Sequence, residues 1–160
     1  MIEIPTKGGD VAPIVHSVEI DRKPEDVFAY VTDPSRFTEW QDAVVSARLQ
    51  DGGPIRQGSK ISLTRRVMGK REQTMTSELT AYDPPRSYAF RVVDGPVRAL
   101  GKGTFEPIGD AERTRFTFEL DFEGHGIGKL LVPLVVRRQA EKELLQTHEE
   151  LKRKLESGSA

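Results

Sequence analysis

The stretch Arg113-Thr114-Arg115-Phe116-Thr117-Phe118-Glu119-Leu120-Asp121-Phe122-Glu123 decides the fold class. Phe116, Phe118, Leu120 and Phe122 fall on one side of an extended chain, and Arg115, Thr117, Glu119 and Asp121 on the other. That alternation is the period of a strand with one dry and one wet face. After Gly124-His125-Gly126 the period changes, and residues 127–156 read as one long helix. Leu130, Leu131, Leu134, Val135, Leu144, Leu145, Leu151 and Leu155 recur there at helical spacing. Lys152, Arg153 and Lys154 suit its negative end, and Gly158 lies just past it. A sheet with one apolar face needs a cover, and this helix is long enough to supply it.

Working back toward the N-terminus, period two continues through residues 43–50, 59–68, 72–82, 87–93 and 97–106. The breaks between these strands are Gly52-Gly53-Pro54, Gly69-Lys70, Asp83-Pro84-Pro85 and Asp94-Gly95-Pro96. Such short turn signals predict antiparallel neighbours. Ile14–Ile20 is a further strand, followed by a helix from Pro24 to Val31 and a second short helix from Ser35 to Trp40. Pro24 fits a first helical position, and Asp33-Pro34 stops the first helix. The expected architecture is α+β: a seven-stranded antiparallel curved sheet around a long C-terminal helix, with two short helices after strand one. Residues 14–156 form one domain in this reading, with 1–13 a flexible arm and 157–160 a frayed tail.

Composition excludes several functions. Twenty-four Lys and Arg nearly cancel 25 Asp and Glu, so phosphate neutralisation of a nucleic acid is not expected. The absence of cysteine removes disulfides, thiolate nucleophiles and cysteine-ligated metals. No window approaches a membrane span and no signal peptide is visible, so stable membrane insertion is not expected and a cytoplasmic location is. His16, His125 and His148 stand apart without a metal-binding spacing, and no metal or other cofactor is expected. The run Gly124-His125-Gly126-Ile127-Gly128-Lys129 lacks both the dinucleotide and the phosphate-loop spacing, and reads as a hinge at the mouth of a pocket.

The segment IDRKPEDVFAYVTDPSRFTEW (20–40) resembles the opening of the polyketide cyclase/dehydrase and lipid-transport family of the START-like (SRPBCC) superfamily. SELTAYDPPRSYAFRV (77–92) and GKGTFEPIGDAERTRFTFEL (101–120) resemble its hairpins, so the likeness covers residues 14–156. It implies the helix-grip fold and a hydrophobic cavity between sheet and terminal helix. The function implied is binding or transport of a hydrophobic or amphipathic small molecule: a lipid, a polyketide or a polycyclic compound. Two alternatives stand beside it: a polyketide cyclase/aromatase acting in the same cavity, and a protein-interaction module of the stress-response or chaperone-binding type. No residue is assigned as catalytic. The chain is expected to be a monomer or homodimer.

Strand parity nominates the ligand-binding residues. Ala99, Gly101 and Gly103 share a face with Phe105 on the sixth strand, opposite Phe116 and Phe118 on the seventh. Small walls against large ones are what an apolar pocket needs, and Gly103→Phe is expected to fill it without unfolding the protein. His16 and Arg65 have inward parity and would supply polar anchors, although a bulge after Thr64 would put Arg66 inside instead. Met75, Ser77, Tyr88 and Phe90 complete the strand side, and Leu134 and Arg138 the helix side. Trp40 is assigned to packing over the sheet end.

Overall fold

The computed structural model describes residues 13–67, 71–95, 98–123 and 134–158. Its strands are β1 (Ile14–Ile20), β2 (Val44–Leu49), β3 (Lys60–Val67), β4 (Arg71–Asp83), β5 (Ser87–Val92), β6 (Arg98–Ile108) and β7 (Arg113–Glu123). They form one antiparallel sheet in the order β1-β7-β6-β5-β4-β3-β2. β2 through β7 are therefore a plain meander, and β1 closes it by pairing with the last strand, Ile14 opposite Leu120.

Between β1 and β2 come α1 (Pro24–Val31), a 3-10 turn (Pro34–Arg36) and α2 (Phe37–Trp40). Pro24 opens α1, Glu25 and Asp26 occupy its first turn, and Val27, Phe28, Tyr30 and Val31 are buried. Buried Thr32 ends it by donating Oγ1–H to the Phe28 carbonyl at 2.8 Å. Asp33 then accepts from the Ser35 amide at 3.0 Å, starting the 3-10 turn.

The long helix α3 spans Leu134–Glu156. The expected start at residue 127, the 124–129 hinge, the arm through residue 12 and the last two residues of the tail lie outside the described residues. Gly158 takes φ +78° just past α3, a conformation that costs glycine little. The strand bounds expected from the sequence differ by no more than two residues where they are described. The charged face of β7 carries Glu19–Arg113 and Glu19–Arg115 ion pairs at 3.2 and 3.0 Å, and this is the wet side.

The two halves of α3 do different work. Leu151 and Leu155 on the C-terminal half join the core of Ile20, Val27, Phe28, Phe105 and Phe116. The N-terminal half, from Val136 to Thr147, lies over β3, β4 and β7 without filling the space beneath it.

Candidate functional site

That space has a volume of about 480 Å³ between the concave face of the sheet and α3. Phe90, Ala99, Phe118 and Phe122 give it an apolar floor, with Phe116 and Tyr88 closing the end toward the core. Leu63, Met75 and Ser77 line the β3–β4 side. Trp40, Arg65, Glu143 and Thr147 stand where it meets a second, polar hollow of about 660 Å³ that runs between α2 and α3. An apolar interior thus passes into a polar mouth.

Arg65 is the inward arginine. β3 pairs with β4 without interruption from Lys60 opposite Glu78 to Val67 opposite Arg71, so the parity of β3 holds through Thr64. The irregularity falls on the neighbouring strand, between Val44 and Ser46. The Arg65 guanidinium reaches α3 and donates Nη2–H to Glu143 Oε1 at 2.5 Å. Arg66 is exposed at the rim, where it touches the same space and donates to the Asp42 carbonyl at 2.7 Å.

Two buried donors at this mouth, Trp40 Nε1 and Arg65 Nε, have no hydrogen-bond partner among the described residues. Leaving such a buried donor unsatisfied costs about 1–3 kcal/mol. Trp40 is 6% exposed and its ring meets Phe37 edge-on at 6.3 Å. It packs as the sequence implied and also borders the pocket, with its indole Nε1 buried. That Trp40 borders the pocket was missed, because nothing in a one-dimensional pattern says which side of a packed indole meets a cavity.

Of the residues nominated from sequence, Arg65, Met75, Ser77, Tyr88, Phe90, Ala99, Phe116 and Phe118 line this space. Phe105 lies behind the wall, 2% exposed, with its ring 4.8 Å from Phe116 and 5.0 Å from Phe28. Arg138 is exposed and lies off the lining face of α3, which runs through Val136, Ala140, Glu143, Leu144 and Thr147. The side chain of Leu134 lies outside the described residues. His16 is half-buried on β1, and its Nδ1 sits 2.7 Å from Nδ1 of His148 on α3.

Gly101 and Gly103 are placed differently from the expectation. Phe90 pairs with Gly101 and Tyr88 with Gly103, and each ring folds over its partner glycine. A Cβ on Gly101 would meet Phe90 Cε1 at 2.2 Å, and one on Gly103 would meet Tyr88 Cε1 at 2.3 Å. The room the glycines leave is filled by the aromatic rings of the next strand. Gly103→Phe therefore strikes the fold itself rather than merely filling a pocket. Even Gly103→Ala is expected to lower stability by about 1–3 kcal/mol in urea unfolding, because buried Tyr88 must move.

His148 is 1% exposed, with its ring centroid 5.2 Å from Phe116 and 6.5 Å from Phe118, and it belongs to the pocket wall. Burial, and secondarily the charge of His16, pushes its imidazole down to about 3, so it is neutral near pH 7. The sequence signal for it was a histidine within an apolar stripe, in phase with Leu144, Leu151 and Leu155. Burial also pushes the Tyr88 phenol upward, leaving it protonated. No group of three or more metal-ligating side chains occurs among the described residues.

A curved antiparallel sheet holding a long helix, with an apolar space between them and a polar mouth, defines a helix-grip protein. The sequence matches the family described as polyketide cyclase / dehydrase and lipid transport over residues 12–156, and the chain belongs to that family. A protein from Thermus thermophilus has a similar structure, with TM-score 0.74 at 18% identity over 92% of this chain and 99% of that one. A START superfamily protein from Mycobacterium smegmatis gives TM-score 0.66 at 19% identity, covering 92% of this chain and 96% of that one. The Zhui aromatase/cyclase from a Streptomyces species gives 0.64 at 19% identity, covering 89% of this chain and 94% of that one. At such identities the likeness is one of fold. A comparison with curated proteins found no match. Among the described residues no helix is long and apolar enough to cross a membrane.

Proposed function

We propose that the protein binds or carries a hydrophobic or amphipathic small molecule in the space between the sheet and α3. The candidates are a lipid, a polyketide or a polycyclic compound, with the apolar body over Phe90 and Phe118 and an oxygen toward Trp40 and Arg65. The observation that carries this reading is an apolar space of about 480 Å³ that meets a polar mouth where Trp40 Nε1 and Arg65 Nε lie buried without a partner among the described residues. Membership of the family supports it. The bound oxygen is better uncharged than anionic. Glu143 already neutralises Arg65, and the mouth adds Glu39, Asp42, Glu149 and Glu150 against Arg66 and Arg153. A cyclase-type reaction is the second reading, favoured by Arg65 and His148 lining one space. A protein-interaction module gains no support from the large hydrophobics exposed among the described residues, Val15, Val45, Leu100 and Leu145, which sit on four different elements.

Native mass spectrometry of protein purified from its own host tests the reading. An added mass that releases a lipid, polyketide or polycyclic compound on denaturation supports it. An empty protein that also takes up neither a naphthyl ketone dye nor the hydrocarbon diphenylhexatriene overturns it. Within that assay, Trp40→Phe is expected to weaken the ketone dye about tenfold more than diphenylhexatriene, since the lost ring volume touches both dyes and the lost donor only the ketone. Equal weakening of both dyes would restrict Trp40 to packing.

A further inference from the structure

The two imidazoles that join β1 to α3 have a chemistry that the shape of the pocket does not need. His16 Nδ1 and His148 Nδ1 are 2.7 Å apart, and a contact that short between ring nitrogens is an N–H···N hydrogen bond. One ring must therefore carry its hydrogen on Nδ1 and the other must leave Nδ1 bare. In a neutral imidazole the hydrogen absent from Nδ1 sits on Nε2. The ring that donates across the bond thus has a bare Nε2 that accepts, and the ring that accepts has an Nε2–H that donates. The free nitrogens of the two rings are opposite in character whenever both rings are neutral.

The environments of the rings are unequal. His16 is half-buried on the edge strand β1, opposite Phe118 of β7. His148 is enclosed by Phe116, Phe118 and His16 and forms part of the pocket wall. Other charged groups on the packed elements are engaged away from the pair. On β1, Glu19 holds Arg113 and Arg115. On β7, Arg115 and Glu119 lie on the face opposite Phe116 and Phe118. On α3, Lys152 donates to the Glu19 carbonyl and to Glu156, Glu150 pairs with Arg153, and Glu149 is exposed. His148 resists taking up a proton, its imidazole being held down to about 3 by burial and then by the charge of His16.

The geometry points to a paired-imidazole switch in which His16 takes up the solvent proton and thereby fixes the hydrogen that His148 presents to a pocket ligand. When His16 is charged, both its nitrogens carry hydrogen, so its Nδ1–H must donate to His148. His148 then has a bare Nδ1 and a full hydrogen on Nε2, and it can only donate to a ligand oxygen. When His16 is neutral the central hydrogen sits on either ring, and His148 Nε2 can donate or accept. The proton count balances: one proton enters at His16 and none leaves His148. This makes His148 a specificity-determining residue whose polarity is set from β1. The inference rests on the reading that the space takes a ligand, and it selects for an oxygen acceptor as the medium becomes more acidic.

Two measurements test it. In titrations with the naphthyl ketone dye, affinity is expected to rise about fivefold from about pH 8 to about pH 5.5. Diphenylhexatriene, with no acceptor, should bind equally at both, and His16→Gln should abolish the pH response of the ketone dye. A parallel rise for both dyes, or a response that survives in His16→Gln, overturns the switch. Nitrogen NMR of histidine-labelled protein without any dye decides the pair directly. The expected signature is a coupling between the two Nδ1 atoms, with His148 Nε2 becoming fully protonated as His16 titrates. His148 nitrogens that stay constant through that titration overturn the inference. Failure of both dyes to bind would fall on the proposed function alone, since the nitrogen signals do not depend on a ligand.

Discussion

Phe116→Ala is expected to lower the unfolding free energy by about 3–5 kcal/mol, read as a shifted midpoint in urea melts followed by tryptophan fluorescence. Phe116 is 1% exposed and is the largest of the fully buried side chains. Its ring lies 4.8 Å from Phe105, 6.4 Å from Phe118 and 5.2 Å from His148, so it joins sheet, helix and pocket end. Removal leaves a void where α3 crosses β7, and the neighbouring rings are pinned on their other sides by Phe28, Phe90 and Tyr88. Collapse into the void is restricted, which places the cost toward the upper part of that range. A domain with about 5–15 kcal/mol of total stability would lose a large share of it. A loss below about 1 kcal/mol would mean that the pocket end relaxes freely and that Phe116 is not a keystone of the α3–β7 contact.

The second large effect is one of acid. Histidine in an unfolded chain protonates near pH 6.5, whereas His148 in the folded protein holds out to about 3. Between those values the unfolded chain binds the extra proton, so stability rises with pH across the window. It is fully present above about pH 6.5 and is lost as pH falls toward 3. Glu19, Glu150 and Glu156 have carboxyls held low by their Arg and Lys partners, with the Asp21 amide assisting Glu156, and these also lose stability in acid. The difference between wild type and His148→Leu cancels those carboxyls and leaves the contribution of the histidine pair. Relative to that variant, the wild type is expected to lose about 2–3 kcal/mol between about pH 7 and about pH 4.5. Parallel stability curves for the two proteins would mean that His148 is protonated in the fold, and the neutral partner assigned to it would be wrong.

How far the sequence spoke depends on the kind of fact. The period of β7 placed Phe116 and Phe118 inward, because a strand has only two faces, whereas Arg65 and Arg66 stayed open until the uninterrupted β3–β4 pairing put Arg65 inward. Helix phase is less forgiving. Arg138 falls off the lining face, which is set by the whole run from Val136 to Thr147. The glycines misled in another way. Their small size was legible, but the rings of Phe90 and Tyr88 that occupy the freed room come from a neighbouring strand. The His16–His148 bond joins residues 132 positions apart, and no local pattern signals such a meeting. Each histidine looked solitary along the chain, and the fold made them a pair.

The strand order has a consequence for how the chain is made. β1 is synthesised before the other strands described, yet among the described residues the only strand it pairs with is β7, so Ile14 waits for Leu120 to leave the ribosome. The meander from β2 to β7 grows through local hairpins in the meantime, each closing a short loop at modest entropic cost. Until β1 arrives, the β7 edge carries unpaired amides and carbonyls beside a row of phenylalanines, which is a template for another chain. Docking of β1 is thus both the longest loop closure in the sheet and the step that caps its stickiest border. Conditions that delay it, such as crowding of nascent chains, are where this protein would be most exposed to aggregation.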